Sequence, residues 1–201
     1  MEAHDQKRLV EALAFALEAH GHQKRKGKDV PYASHLLQVA GHVLEYGGDA
    51  ELAVAGLLHD VLEDCEGVDA ADMRARFGDR VANVVDDCTD LLEEDTPGKK
   101  SDWYLRKHKY LTHLSQASRD TQLVAACDKL HNLQNLLVDL RFHGPETLER
   151  FSATPPQTLW YYQEVLTVLA DDLPGPLLAE YALHLRALSE FVGESWNPDE
   201  D

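Results

Sequence analysis

Cysteine is scarce in this chain. Cys65, Cys88 and Cys127 are the only three among 201 residues, and no two form a CxxC pair. That excludes a disulfide framework and a cysteine zinc site, and it fits a reducing cytosol, the expected location. No apolar run approaches the roughly 18 residues that a membrane helix needs, so no membrane partner is expected. The opening MEAHDQKRLVEALAFALEAH alternates charged with apolar residues, unlike a signal peptide. Positive charge is short as well: 19 Lys and Arg stand against 36 Asp and Glu, for a formal net charge of −17. A chain this acidic is not expected to hold nucleic acid. What remains is globular composition, 44% hydrophobic and 27% charged, at about the length of one domain.

The few bases are clustered. Lys24, Arg25, Lys26 and Lys28 lie together, as do Lys99, Lys100, Arg106, Lys107 and Lys109. From Phe151 onward Arg186 is the only base. Two solvated loops balancing acidic neighbours would explain the clusters, and so would a grip on a small polyanion.

Apolar residues recur at helical spacing along most of the chain. Leu9 to Leu17 and Leu36 to Leu44 predict two helices, Ala50 to Leu62 a third, Arg80 to Leu91 a fourth and Trp103 to Leu114 a fifth. Thr121 to Leu140, Thr158 to Ala170 and Leu177 to Val192 predict three more. Asp49 and Asp120 read as N-caps. No alternating strand pattern and no internal repeat is evident. The expectation is one all-α domain over 1–201: a motif-bearing core at 10–140, a helical extension at 145–193 and a frayed acidic tail at 194–201.

The third predicted helix ends in Leu57-Leu58-His59-Asp60-Val61-Leu62-Glu63-Asp64. At about 100° per residue, Val54, Leu57, Leu58, Val61 and Leu62 share one side, and His59, Asp60, Glu63 and Asp64 the other. Three carboxylates so close repel one another, and a cation removes that cost. An exposed acidic face is the plainer reading of such a pattern. Two other helices offer further ligands. His35 opens the second, and Asp128 sits in the apolar run Val124 to Asn132, where a carboxylate is costly to bury unless paired or bound to metal. Asp128, Asn132 and Asn135 share a face. Taken singly, Asp128 reads as a partner of Lys129 and His35 as a surface histidine.

Together, His35, His59-Asp60 and Asp128 resemble the HD-domain phosphohydrolases. Gln23 to Gly27, Pro31-Tyr32 and His35 are similar to the opening of the RelA/SpoT hydrolase domain. Leu57 to Asp64 resembles its central motif, and Cys127-Asp128-Lys129-Leu130-His131-Asn132-Leu133 its third. The length leaves no room for a synthetase domain, so the likeness is to the stand-alone small alarmone hydrolases.

That resemblance implies an all-helical HD bundle of roughly eight to ten helices. It implies hydrolysis of the 3′-pyrophosphate of guanosine tetra- and pentaphosphate to GDP or GTP, with Mn²⁺ as the metal. His35, His59, Asp60 and Asp128 match the metal ligands, a donor set that suits six-coordinate Mn²⁺ with open positions. Glu63 and Asp64 match the acidic pair that activates water. Arg25 matches the guanidinium that stacks on the base, and Lys26, Tyr32 and Asn132 other pocket positions; Asn135, on the face of Asp128 and Asn132, is a further candidate for substrate binding. Arg106 and Lys107 are candidates for gripping phosphates. The partner expected is a small nucleotide, and the assembly a monomer or homodimer. This chain departs from the family pattern at Leu36, where proline is frequent, at Cys127 and Lys129 around Asp128, and at Gln134 and Asn135. Two alternatives stay open: an HD phosphatase for NADPH or a nucleoside monophosphate, and a non-catalytic nucleotide-binding module.

Overall fold

A computed structural model describes residues 1–90, 102–170 and 173–193. Leu91, Lys99, Lys100 and the acidic tail lie outside the described residues. Within them the chain is all-α. The order is α1 (Ala3–His20), α2 (Ala33–Glu45), α3 (Ala50–Leu58), α4 (Val61–Asp64), α5 (Ala70–Phe77), α6 (Asp79–Cys88), α7 (Trp103–Gln116) and α8 (Arg119–His143). A 3₁₀ turn (Pro145–Arg150), α9 (Pro155–Leu169) and α10 (Gly175–Val192) follow. An isolated bridge between Lys24 and Pro31 closes the finger between α1 and α2.

Helix α3 is the axis of the bundle. Leu52 through Leu58 are all buried, and the helix packs on α1, α2, α6 and α8. Each fully buried Leu or Val there contributes about 1.5–3 kcal/mol. Gly56 lets α2 come close: a Cβ on it would lie 3.2 Å from Ala40 Cα. The 25-residue α8 runs through the other half of the core, against α2, α6 and α10. Its buried face carries Asp128 and His131 among leucines.

Three expectations need correction. The helix predicted over Ala50 to Leu62 breaks: α3 ends at Leu58, His59 and Asp60 form a turn that keeps right-handed dihedrals, and the helix resumes at Val61. The apolar spacing of Leu57, Leu58, Val61 and Leu62 runs through this break unaltered, so the sequence pattern does not mark it. Asp120 is not the cap of α8. Ser118 is, its Oγ accepting from the Thr121 amide at 3.2 Å, while Asp120 accepts from Arg80 Nε at 2.6 Å. Asp49 does cap α3, accepting from Leu52 N at 2.9 Å. Helix α5 was not legible, since only Met73 and Phe77 of its eight residues are buried.

Candidate active site

The break after α3 positions the first histidine. His59 Nδ1 lies 2.9 Å from the Gly56 carbonyl oxygen and can only donate to it, so Nε2 is left with its lone pair. His35 reaches the same point from the first turn of α2, and Asp128 from the middle of α8. Ligand atoms of His35, His59 and Asp128 lie within 4.8 Å of one another. Asp60 completes the group: its Oδ2 is 3.1 Å from His59 Nε2 and 3.5 Å from His35 Nε2. Asp128 Oδ1 is 3.1 Å from His35 Nε2. Both Nε2 atoms are buried and make no hydrogen bond. Two imidazole nitrogens and two carboxylates that converge on one point, with no hydrogen bond to either nitrogen, are a donor set that fits a divalent cation.

The electrostatics agree with that fit. Burial disfavours the His59 imidazolium, yet the charges of Asp60 and Asp128 overcome it and lift the pKa to about 10. Burial likewise pushes Asp60 and Asp128 upward, but His59 and His35 for the one, and Lys129 for the other, hold them well below the usual carboxylate range. The pocket of negative charge thus demands a positive occupant. Lys129 Nζ stands 2.6 Å from Asp128 Oδ2, so the pairing expected for Asp128 singly exists alongside the histidine contacts.

Two of the expected pocket residues, Tyr32 and Asn132, contact the cluster directly, and Arg25 contacts both of them. Tyr32 donates its hydroxyl to Asp60 Oδ2 at 2.5 Å. Asn132 donates to Asp128 Oδ1 at 2.6 Å and accepts from Arg25 Nη2 at 2.5 Å. Arg25 also lies over the Tyr32 ring, 5.5 Å from its centroid. Asp64 is held from behind, its carbonyl accepting from Gln23 Nε2 at 2.8 Å. Burial, then the charges of Asp60 and Glu63, raise the Asp64 pKa above the usual carboxylate value.

Next to the cluster lies a cavity of about 660 Å³. Its lining includes Tyr32, Lys129 and Asn132, which contact Asp60 and Asp128, but none of the four clustered residues themselves. Tyr32, Asp64 and Asn132 line its floor, with Lys24, Arg25, Lys26 and Lys28 of the finger on one wall. Lys107, Lys129 and Arg150 add cations from three other elements, and Asn135 also faces it. The basic cluster at 24–28 is therefore cavity lining. Arg106 and Lys107 both pair with Asp90, Arg106 Nη1 at 3.2 Å; Lys107 lines the cavity, whereas Arg106 borders a neighbouring hollow. Glu63 is not part of the cavity lining; its Oε2 accepts from the Asp90 amide at 3.2 Å.

Sequence reasoning missed Lys129, His131 and Arg150 as site residues. Lys129 reads as a departure from a motif and as the ion-pair partner of Asp128, His131 reads as one more residue of a buried helix, and Arg150 comes from a turn with no motif. Trp160, Tyr161 and Tyr162 form an aromatic run that could wall a pocket but on a helix more often packs in the core; Tyr161 and Tyr162 line the cavity. Gln134 faces away and pairs with His42 at 3.1 Å, so its departure from the family pattern does not reach the substrate side.

A family model described as "HD domain" matches residues 12–149. Over 131 residues the chain is 35% identical to the guanosine-3′,5′-bis(diphosphate) 3′-pyrophosphohydrolase MESH1 of Xenopus tropicalis, covering 64% of this chain and 69% of that one. It is 35% identical over 130 residues to the guanosine-3′,5′-bis(diphosphate) 3′-pyrophosphohydrolase of Aquifex aeolicus (strain VF5), covering 65% of this chain and 18% of that longer one. The solved structure of a metazoan SpoT ortholog superposes with a TM-score of 0.71 at 24% identity, covering 89% of this chain and 94% of that one, which shows a shared fold. A structure from Listeria monocytogenes EGD-e gives 0.65 at 28% identity, covering 78% and 99%. The chain belongs to the HD domain family, in the group that these pyrophosphohydrolases represent.

Proposed function

We propose that this protein is a metal-dependent hydrolase that removes the 3′-pyrophosphate of guanosine tetra- and pentaphosphate, giving GDP or GTP and pyrophosphate. The observation that carries the reading is a juxtaposition: a cavity walled by cations from four elements is lined by Tyr32, Lys129 and Asn132, the residues in contact with Asp60 and Asp128 of a two-histidine, two-carboxylate cluster. Such a wall suits a ligand with several phosphates, and the cluster suits the cation that cleaves one of them. The relatives named as 3′-pyrophosphohydrolases support the choice of substrate. His35, His59, Asp60 and Asp128 hold the metal. Mn²⁺ is the ion proposed, since mixed imidazole and carboxylate donors with open positions suit it.

When bound, the cation supplies Lewis acidity toward a phosphoryl oxygen. The protein's own groups do the rest. Asp64 lines the cavity and has a raised proton affinity, so its carboxylate takes up a proton from the attacking water. Glu63 stands beside it, anchored to the Asp90 amide. Tyr32 stays protonated, because burial and the charges of Asp60 and Asp64 raise its pKa, and its hydroxyl orients Asp60. Lys107 and Lys129 neutralise phosphates where negative charge accumulates on the leaving pyrophosphate. Arg25, lying over Tyr32 and tied to Asn132, presents a flat face for the base, and Lys26 and Asn135 complete the wall. Arg106 acts on this wall through Asp90.

We place the enzyme in the cytosol, in keeping with three free buried cysteines, and treat 1–201 as one domain, because α9 contributes cavity residues that the motif-bearing core lacks. The test is a nucleotide screen with Mn²⁺ in which pyrophosphate and orthophosphate are separated. Pyrophosphate from guanosine tetraphosphate is the expected product. Orthophosphate from NADPH or a nucleoside monophosphate assigns the site to another HD phosphatase, and no turnover of any nucleotide makes it a binding module.

A further inference from the structure

His59 is fixed in its metal-ready tautomer by a backbone carbonyl, which can only accept. His35 is not. Its Nδ1 faces another imidazole nitrogen, His131 Nδ1, at 2.6 Å. Both rings are buried. The far nitrogen of His131, Nε2, lies 2.7 Å from the side-chain amide of Asn135. The other amide atom of Asn135 lies 3.3 Å from Lys28 Nζ, and Lys28 in turn is 2.7 Å from Asp139. A continuous line of polar contacts therefore runs from the proposed metal ligand to a cation on the cavity wall.

A proton can sit at only one place between two facing imidazole nitrogens. If His35 is to offer its Nε2 lone pair to a cation, its single proton must be on Nδ1. His131 Nδ1 must then accept, and the His131 proton must be on Nε2. Asn135 must in turn present its oxygen to His131 and its NH₂ toward Lys28. In the opposite setting Asn135 donates to His131 Nε2, His131 donates to His35 Nδ1, and His35 carries its proton on Nε2, where it blocks a cation. Asn135 then accepts from Lys28. The second is the arrangement that the Asn135 amide adopts in the structure.

We infer that His131 is a positioning residue whose tautomer couples occupancy of the metal site to the cavity wall: loading the cation turns the Asn135 amide and takes its oxygen away from Lys28, which keeps Asp139 as its partner. This rests on the metal-dependent reading above. The proton count balances. The proton shared by the two Nδ1 atoms passes from His131 to His35, the one on His35 Nε2 departs to water, and His131 Nε2 takes one from water. Each ring remains neutral with one proton.

The experiment uses the whole protein labelled with ¹⁵N and long-range ¹H–¹⁵N spectra of its imidazoles, without metal and saturated with diamagnetic Zn²⁺. The expected result is a change of His131 from Nδ1–H to Nε2–H on adding Zn²⁺, with His59 unchanged in carrying its proton on Nδ1. A His131 tautomer that does not change overturns the coupling while leaving the metal site intact. A wild-type protein that takes up no cation overturns the metal reading and the coupling with it. In parallel, His131→Phe removes the acceptor and should weaken Zn²⁺ binding by about 10–100-fold, the usual cost of losing a group behind a ligand. His131→Gln, whose amide oxygen can accept, should recover part of that loss. Wild-type affinity in His131→Phe overturns the proposal. Should that variant not fold, the wild-type spectra decide alone.

Discussion

Gly56 serves the site with both of its ends: its carbonyl oxygen takes the Nδ1–H of His59 at 2.9 Å, and its bare Cα lets α3 lie against Ala40 of α2. An alanine there would gain about 0.8–1 kcal/mol of helix propensity. Its Cβ, however, would meet backbone atoms of Ala40 at 3.2 and 3.4 Å, which cannot swing aside as a side chain can. Overpacking of this kind costs about 1–3 kcal/mol. Gly56→Ala should thus lose up to about 2 kcal/mol net in urea unfolding and should also weaken metal binding, because α2 carries His35 and α3 leads to His59. Unchanged stability would show that α2 gives way.

Removing a ligand tests the cluster itself. His35→Ala and Asp128→Ala should each abolish metal content and activity together. Metal analysis of the purified proteins reads the first and pyrophosphate release the second. Activity surviving in either variant would take that residue out of the ligand set.

The acidic pair separates chemistry from metal holding. Asp64→Asn and Glu63→Gln keep size and hydrogen bonding but remove a base. Loss of general-base assistance is worth about 10²–10⁴ in kcat, with metal content and KM preserved. The larger effect is expected at Asp64, which faces the cavity. A variant that loses its metal identifies that residue as a ligand.

Arg25 spans Asn132 and the Tyr32 ring. A lysine can keep the charge but not the flat face. Arg25→Lys should raise KM much more than it lowers kcat, read from initial rates over a range of nucleotide concentrations. Equal KM values would remove Arg25 from base recognition.

Asp139 holds the finger to the rest of the molecule, pairing with Lys28 at 2.7 Å and with Arg150. Burial alone would raise its pKa, but these two cations lower it below the usual carboxylate value. A depressed carboxylate contributes stability that is present above the unfolded-state pKa, roughly 4. That contribution is lost as pH falls through the folded-state value. Asp139→Asn should cost about 1–3 kcal/mol at pH 7. The difference from wild type should shrink steadily below about pH 4. A difference that stays constant into acid would assign the loss to packing.

The chemistry of the site was easier to read from the sequence than its architecture. His35, His59, Asp60 and Asp128 stand out because their residue types are expensive in apolar helices and because three motifs occur in order. The break at His59-Asp60 left no trace, since Leu57, Leu58, Val61 and Leu62 keep helical spacing across it. Ser118 caps α8 although Asp120 is the stronger acidic signal, because Arg80 claims the Asp120 carboxylate. The role of His131 depends on which nitrogen faces which neighbour, and spacing along one helix cannot reveal a contact with a ring 96 residues away. Arg150, Tyr161 and Tyr162 reach the cavity only through the packing of the chain's last third.

That last point divides the labour of the chain. The matched HD stretch ends at residue 149, and the wall built by Arg150, Tyr161 and Tyr162 comes after it. Part of the wall is therefore encoded in a second segment, after the one that carries the proposed metal donors together with Arg25 and Lys107. Substitution in the second can resize the enclosure without disturbing a single donor to the metal, so related chains can keep one reaction while exchanging the molecules they admit.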